Sequence, residues 1–245
     1  MINESRRGGT QASEVFVIPA QQPVSVAVAG GGRFPVRRVF CIARNYAAHA
    51  REMGGNPERE QPFFFCKPAD AVLSAAEGES LRFRYPLASQ DVHHEVELVV
   101  ALGAGGENLD AQAARASIWG YAVGLDMTRR DLQAEAKAMA RPWDIAKAFD
   151  QSAPVSAIRR ATDPLPDDTR VALTVNGKPR QSGVVGDMIW TIPEIIMLLS
   201  RYYCLAPGDL IFTGTPEGVG AVLPGDELTA TIDGVGELYV EVVAR

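Results

Sequence analysis

Two glutamates, Glu95 and Glu97, lie one residue apart in HHEVELVVAL, where an apolar run begins. Side chains on a strand alternate between faces, so we expect both carboxylates to point the same way, on a face that continues with Val99 and Ala101. Two ionised carboxylates side by side repel each other and lose hydration near a core. The pattern therefore predicts a positive charge between them.

A third carboxylate, Asp126, ends the apolar segment YAVGLDM. For Glu95 and Glu97 alone, a solvated strand face is the commoner arrangement. Three carboxylates converging from two strand ends instead predict an all-oxygen site for a hard divalent cation. Mg²⁺ is the expected ion, with Mn²⁺ or Ca²⁺ as substitutes, whereas zinc sites favour nitrogen and sulfur ligands.

A candidate general base lies in RNYAAHAREM, where Glu52 follows His49 by three residues and shares its side of a helix. A carboxylate beside an imidazole fixes its tautomer and raises its basicity, which suits a base that activates water. The alternative is an ordinary surface pair. We assign His93 and His94, next to the acidic cluster, supporting or structural roles.

Two further segments offer contacts for an anion. Lys147 lies among apolar residues in RPWDIAKAFD and could balance an anionic ligand, although a surface lysine lying along apolar neighbours would look the same. The segment TGTPEGVG (213–220) follows an apolar strand and offers hydroxyls and free backbone N–H groups. Its alternative is a plain glycine-rich turn.

The elements that must position these residues are mainly strands. Alternating or apolar runs predict strands over 14–20, 24–30, 63–68, 94–102, 118–127, 170–175, 208–214, 226–232 and 236–243. Asn176-Gly177 and Asp233-Gly234 indicate hairpins. Helices are predicted over 45–53, 109–118, 129–140 and 192–203, with Thr128 and Asp131 as a capping box for the third. The pattern predicts a β-rich α+β fold, with a boundary near the glycines at 30–32 between an N-terminal extension (1–35) and a main domain (36–245).

Composition excludes several classes of protein. The 245 residues carry a net charge of −6, which argues against a nucleic-acid-binding surface. No uninterrupted apolar run reaches the roughly 18 residues of a membrane span. The three cysteines form no C-x-x-C pair, so neither a disulfide scaffold nor a zinc site is expected. A soluble protein of the reducing cytoplasm fits best.

One glycine-rich segment resembles a dinucleotide site. In LVVALGAGGENLDAQAARA, a strand and a glycine loop precede a helix, and Asp126 follows at a suitable distance. The third glycine of the fingerprint is missing, because Asn108 stands there after Gly103 and Gly105. We interpret the segment as a loop ending an antiparallel strand. A nucleotide-binding module is the alternative from another class, and thermal stabilisation by NAD or ATP would test it.

Taken in order, a set of motifs covering residues 36–245 resembles the fumarylacetoacetate hydrolase family, most of all its fumarylpyruvate hydrolases, which cleave acylpyruvates. The motifs are RNYAAHAREM, FFFCKPADAV, HHEVELVVALG, GYAVGLDMTRRDLQAEAK, RPWDIAKAFD and GDLIFTGTPEGVG. The resemblance implies a mixed β-sandwich roll with a helical lid, usually a homodimer. It implies Mg²⁺-dependent hydrolysis of a carbon–carbon bond in a 2,4-dioxo acid, with fumarylpyruvate giving fumarate and pyruvate.

The resemblance also implies roles for individual residues. It assigns the metal to Glu95, Glu97 and Asp126, the water-activating pair to His49 and Glu52, and contacts with the ligand's carboxylate and oxo groups to Arg130, Gln133, Lys147 and Thr215. The same enolate chemistry leaves open oxaloacetate decarboxylation and 2-oxo acid isomerisation or dehydration. A non-catalytic metal-binding protein is a third alternative.

Overall fold

A computed structural model describes residues 16–52 and 60–245, which fold mainly into strands. The strands are Ser25–Ala27 (β1), Arg33–Pro35 (β2), Arg38–Ala43 (β3), Phe63–Lys67 (β4), Val72–Ser74 (β5), Ser80–Arg84 (β6), Val92–His94 (β7), Val96–Leu102 (β8), Ile118–Leu125 (β9), Thr128–Arg129 (β10), Ala153–Val155 (β11), Arg159–Arg160 (β12), Arg170–Val175 (β13), Lys178–Val184 (β14), Asp209–Phe212 (β15), Gly220–Val222 (β16), Glu227–Ile232 (β17) and Gly236–Val243 (β18). The α-helices are Ala47–Glu52 (α1), Ala111–Ser117 (α2), Arg130–Ala138 (α3), Asp144–Lys147 (α4) and Ile192–Leu199 (α5). No helix among these residues is both long and apolar enough to cross a membrane.

Two sheets pack face to face. The larger is mixed and runs β4-β3-β15-β8-β9-β11-β5, with β12 also paired to β9. The second runs β14-β13-β17-β18-β6 and is antiparallel except for its last pair. Two small sheets, β1-β2 and β10-β7-β16, complete the β structure. The predicted β-rich α+β class is confirmed.

The central strand β8 is buried on both faces, which the glutamates at its start did not indicate. Leu98 and Val100 belong to the core between the two large sheets. Val99 and Ala101 belong to a second core on the opposite face, which the β1-β2 hairpin helps to close. Truncating such a fully buried leucine to alanine costs about 2–5 kcal/mol, so β8 is a rigid support for Glu97.

Several predicted boundaries differ from the structure. The run 94–102 is interrupted at Glu95, which links β7 in a small sheet to β8 in the large one. Of the predicted strand 14–20, residues 14–15 lie outside the described residues, and 16–20 form no strand. The last predicted helix ends at Leu199 rather than Tyr203. Gly30 to Gly32 form the turn of the β1-β2 hairpin, each with positive φ.

The capping box predicted from Thr128 and Asp131 is wrong. Thr128 lies in β10, and its hydroxyl donates to the Asp126 carbonyl instead of capping α3. The Asp131 carboxylate accepts hydrogen bonds from Ser89 Oγ and the backbone N–H of Gln90. Both side chains are therefore used in tertiary contacts, which a local sequence pattern does not reveal.

Candidate active site

Three buried carboxylates meet where β8 and β9 lie side by side. Glu97 is on β8, Asp126 directly follows β9, and Glu95 lies in the link before β8. The Asp126 backbone N–H donates to the Glu95 carbonyl at 2.8 Å, which fixes the two chain segments opposite each other. One oxygen of each carboxylate lies within 4.8 Å of the others. The predicted convergence is therefore present, although Glu95 reaches the cluster from a strand break and not by alternation along one strand.

Lys147, at the end of α4, lies within this cluster and is only 3% exposed, so the surface-lysine alternative is wrong. Its ammonium donates to Glu95 Oε2 at 2.8 Å, to Asp126 Oδ2 at 2.6 Å and to the Thr128 hydroxyl at 2.7 Å. Burial favours the neutral amine, but the charges of Asp126 and Glu95 outweigh it and raise the pKa of Lys147. Lys147 is thus a fixed cation directly against two of the three carboxylates.

The three carboxylates are not equally supplied with positive charge. Burial raises the pKa of Glu95, but Lys147 and Arg130 outweigh it and hold that pKa well below its usual value. The pKa of Glu97 is well above its usual value because of burial and the charges of Asp126 and Glu95. Among the described residues, the donor that contacts the Glu97 carboxylate is the Gly214 backbone N–H, at 2.6 Å. In the absence of a further cation, the cluster is short of positive charge on the Glu97 side.

The donor set fits a hard divalent cation. All three side chains offer oxygen, the ligand atom that such ions prefer. Asp126 Oδ1 is buried and forms an ion pair with Lys67 Nζ at 2.8 Å, but among the described residues it accepts no hydrogen bond of good geometry. Together with the raised pKa of Glu97, this leaves carboxylate oxygens that a cation would satisfy.

Lys67 is a charged residue at this site to which the sequence analysis gave no role. Its side chain is fully buried at the end of β4, near Asp126, and its ammonium donates to the backbone carbonyls of Met127 and Lys147. It therefore ties the segment after β9 to the end of α4. The available signal was a lysine that ends the apolar strand FFFCK, where a charge needs a buried partner.

The predicted base and its partner meet on the short helix α1. His49 Nδ1 lies 3.2 Å from Glu52 Oε2, and His49 is buried while the Glu52 side chain is 36% exposed. Both Glu52 oxygens also accept from the Gly218 backbone N–H at 3.2 Å. Because the Glu52 carboxylate accepts from Nδ1–H, the Nε2 atom of His49 is left free as a proton acceptor.

Arg130 is the first residue of α3, and its side chain reaches the carboxylate cluster at Glu95. It donates to Glu95 Oε1 at 2.5 Å and to Gln133 Oε1 at 2.6 Å. His93 supports it, since Arg130 Nε lies 3.4 Å from His93 Nδ1 and His93 Nε2 lies 2.9 Å from Asp91. Burial and the Arg130 charge lower the pKa of His93, so it is a neutral acceptor toward Arg130. The supporting role predicted for His93 agrees with this geometry.

Thr215 lies in the loop after β15 and also lines the cleft. Gln181 Nε2 donates to its hydroxyl oxygen at 2.7 Å, which leaves the Thr215 proton free for a ligand. Gln181 Oε1 accepts from the Val96 backbone N–H at 3.1 Å and lies 2.9 Å from His94 Nδ1. Gln181 was not identified from the sequence, because nothing in KPRQSGV marks one glutamine as buried. His94 is a buried structural residue, as predicted.

The backbone at Gly214 requires a glycine in the segment TGT. Its φ is +95°, and a Cβ there would lie 2.7 Å from the Cβ of Asn45. This conformation directs the Gly214 N–H at Glu97. The loop is therefore more than a plain turn.

One cleft unites the predicted site residues. Eight of the nine line it, and Glu52 lies behind His49 as its partner. The eight are His49, Glu95, Glu97, Asp126, Arg130, Gln133, Lys147 and Thr215. The wall is completed by residues that the sequence analysis did not select, namely Arg44, Phe65, Lys137 and Trp143. The arrangement combines a cation site, a general base and donors for an oxyanion.

Comparison with known proteins agrees with this geometry. The sequence profile of the family described as Fumarylacetoacetate (FAA) hydrolase C-terminal matches residues 38–243. The crystal structure of fumarylpyruvate hydrolase from Pseudomonas aeruginosa in complex with Mn²⁺ and pyruvate is 51% identical, with a TM-score of 0.92 over 94% of this chain and 100% of that one. The predicted mixed β-sandwich fold is thereby confirmed.

Relatives named for two different activities are similar to this chain at nearly the same sequence identity. A fumarylpyruvate hydrolase of Ralstonia is 44% identical over 184 residues, which is 75% of this chain and 93% of that protein. The oxaloacetate tautomerase YcgM of Escherichia coli is 42% identical over 207 residues, or 82% of this chain and 90% of that protein. Sequence identity alone therefore does not choose between the two reactions.

Proposed function

This chain belongs to the fumarylacetoacetate hydrolase family, and we propose that it hydrolyses the carbon–carbon bond of an acylpyruvate, with fumarylpyruvate as the substrate. The observation that carries the proposal is a buried group of three carboxylates in the same cleft as a histidine oriented by a glutamate. The first arrangement suits stabilisation of an enolate, and the second suits activation of water. Hydrolytic cleavage requires both.

The fumarylpyruvate hydrolase of Pseudomonas aeruginosa, whose structure holds Mn²⁺ and pyruvate, supports this choice, because it is 51% identical over nearly the whole chain. We propose Mg²⁺ as the resident ion, with Mn²⁺ or Ca²⁺ as substitutes, held by Glu95, Glu97 and Asp126. When bound, the ion would supply Lewis-acid stabilisation of the negative charge that develops on the 2-oxo oxygen.

His49 performs the first proton transfer. Its free Nε2 takes a proton from water, and the resulting hydroxide adds to the acyl carbonyl carbon of the substrate. Glu52 holds the ring in the required tautomer and stabilises the imidazolium, while Gly218 holds Glu52. General-base catalysis of this kind contributes roughly two to four orders of magnitude in rate.

The carbon–carbon bond then breaks, and its electron pair leaves with the pyruvate fragment as an enolate. The acyl group departs as a carboxylic acid, fumaric acid for this substrate, and the enolate carbon takes up the proton that His49 removed from water to give pyruvate. Lys147 is a permanent cation in a dry site, where charge stabilisation is stronger than in water. Arg130 and the free hydroxyl proton of Thr215 are donors for the pyruvate carboxylate.

A substrate screen tests the proposal. The purified protein with Mg²⁺ is given fumarylpyruvate, acetylpyruvate or oxaloacetate, and enol absorbance is followed together with pyruvate and fumarate. We expect equal amounts of pyruvate and fumarate from fumarylpyruvate at a turnover well above that with oxaloacetate. Turnover of oxaloacetate alone would contradict the proposal.

Oxaloacetate tautomerisation or decarboxylation is the second candidate. It is favoured by the carboxylate cluster with Lys147, since this half of the site serves any reaction through an enolate, and by relatives named for these activities at 38–44% identity. Decarboxylation requires no attacking water. Loss of His49 should therefore impair hydrolysis more than decarboxylation, and this difference would distinguish the two functions.

We further propose that the protein is a cytoplasmic homodimer. The family resemblance and the ordinary, acidic composition support this expectation. Light scattering coupled to gel filtration would test the dimer, with about twice the chain mass as the expected result and the mass of one chain as the contrary one.

A further inference from the structure

Helix α3 carries a line of polar side chains up one wall of the cleft. Arg130, Gln133 and Lys137 are spaced three and four residues apart, so they share one face of the helix, and all three line the cleft. Arg130 and Gln133 are engaged at the bottom, where Arg130 binds Glu95. Lys137 lies seven residues further along, about 10 Å up the helix axis.

Arg44 reaches the same cleft from the strand that leads into α1. Its φ is +57°, a left-handed conformation that is uncommon for a non-glycine residue. The next residue, Asn45, is buried, and its Nδ2 donates to the Trp190 carbonyl at 3.0 Å and the Thr213 carbonyl at 2.8 Å. Arg44 is therefore held at the cleft by a fixed backbone.

Arg44 and Lys137 have no carboxylate partner in the part of the chain that the structure describes, residues 16–52 and 60–245. Lys137 lies over the ring of Trp143, with Nζ 5.1 Å from the ring centroid, so an aromatic surface holds it in place of a carboxylate. Burial and the charges of Arg130 and Arg44 lower the pKa of Lys137, as expected for cations brought close together. Two such cations at one cleft indicate a place for an anion.

The separation between the carboxylate cluster and Lys137 suits a particular class of substrate. An extended seven-carbon 2,4-dioxo diacid spans roughly 7–8 Å, because its six carbon–carbon bonds of about 1.5 Å form a zigzag and advance only about 1.25 Å each. With its 2-oxo acid end at the carboxylate cluster, its far carboxylate would reach the level of Lys137.

We propose that Arg44 and Lys137 form a subsite for the distal carboxylate of a dicarboxylic acylpyruvate. The inference rests on the proposed function and narrows it. Acetylpyruvate has no distal carboxylate, and the distal carboxylate of oxaloacetate is too close to its oxo group to reach this subsite. Selection at Arg44 and Lys137 therefore favours the long diacid over both.

The test compares variants across three substrates. Lys137→Met and Arg44→Gln are assayed with fumarylpyruvate, acetylpyruvate and oxaloacetate in the presence of Mg²⁺. We expect KM for fumarylpyruvate to rise roughly 10- to 100-fold, the value of a hydrogen bond between charged groups, while KM for the other two substrates changes less than about twofold. Arg141→Gln is the matched control, because it removes an exposed positive charge close to α3 that does not line the cleft.

Binding separates this inference from the proposed function. Calorimetry with fumarylpyruvate is performed on His49→Ala, in which cleavage is slow, and on the same protein with Lys137→Met. A tenfold or larger loss of affinity that is absent with acetylpyruvate supports the subsite even if the wild-type protein cleaves no acylpyruvate. Equal changes for both ligands, or no change for either, would overturn it.

Discussion

The bottom of the cleft and its mouth are built in opposite ways. At the bottom, Glu95, Glu97, Asp126 and Lys147 are each at most 5% exposed, and they are packed against each other's charges. At the mouth, the Glu52 side chain is 36% exposed on a six-residue helix, and Arg44 and Lys137 have no carboxylate partner among the described residues.

The difference separates two tasks. A rigid, dry cluster stabilises charge because its dipoles and ions need no reorganisation, and this serves every reaction that passes through an enolate. In our proposal, the choice of substrate depends on Arg44 and Lys137, and water activation depends on the buried His49, which the more exposed Glu52 holds. The bottom of the cleft alone therefore does not determine which of these reactions the site favours.

The largest effect is expected at the bottom of the cleft. Glu97→Gln removes a charged ligand, so cleavage of fumarylpyruvate and any turnover of oxaloacetate should be lost together. Titration calorimetry with Mn²⁺ should show affinity reduced by more than the roughly 10- to 100-fold typical of residues that only support a ligand. Glu241→Gln, an exposed glutamate on β18, is the control. Normal Mn²⁺ binding by Glu97→Gln would remove Glu97 from the site.

His49→Ala should slow hydrolysis far more than decarboxylation. Cleavage of fumarylpyruvate should fall by roughly two to four orders of magnitude, because the base that activates water is absent. Any oxaloacetate decarboxylation should fall far less, since it requires no attacking water. Arg51→Gln on the same helix controls for disturbance of α1. Equal losses in both reactions would mean that His49 acts on something other than water.

Lys147 and Lys67 should differ in their response to metal. Either substitution to methionine leaves buried carboxylates with one cation fewer, which typically costs about 3–5 kcal/mol. Lys147→Met removes the ammonium bridging Glu95 and Asp126, so thermal unfolding should show stability largely restored by Mn²⁺, whereas kcat stays low. Lys67→Met also loses its bonds to two backbone carbonyls, so its restoration should be incomplete. Identical recovery would mean that Lys67 does no more than supply charge.

The smallest effect concerns the start of α3, which carries residues of both regions. Burial opposes ionisation of Asp131, but hydrogen bonds from Gln90, Ser89 and Leu132 hold its pKa below the usual value. A lowered pKa gives stability that is present above the unfolded-state value of about 3.9 and is lost as the pH falls through the folded-state value.

Asp131→Ala should therefore be less stable than the wild-type protein near pH 7, by about 1 kcal/mol for a half-buried group. The difference should shrink in urea melts as the pH falls below the unfolded-state value of about 3.9. Glu135→Ala on the same helix should show no such pH dependence. A constant difference across pH would mean that the Asp131 charge is irrelevant.

The bottom of the cleft was largely predictable from the sequence because its signals are local. A charge such as Asp126 at the end of an apolar strand is rare without a partner. Elsewhere in the fold, the Asn176-Gly177 hairpin was predictable for the same reason, because that dipeptide is specific to short turns. Lys67 and Gln181 escaped because their importance comes from distant partners, Lys147 and Thr215, which only the tertiary fold brings near.

The mouth was less predictable for a related reason. Arg44 and Lys137 look like ordinary exposed charges in the sequence, and only the fold shows that neither has an ion-pair partner among the residues the structure describes. The break of the strand at Glu95 was also missed, because HHEVELVVAL alternates well enough to suggest one strand. Only the pairing of β7 and β8 with different sheets reveals it.

The most direct test of the account is pyruvate release from fumarylpyruvate by wild-type protein stripped of metal with a chelator and then titrated with Mg²⁺ or Mn²⁺. The account predicts no release above background in the stripped protein and full recovery at one ion per chain. Undiminished release from metal-free protein would contradict it.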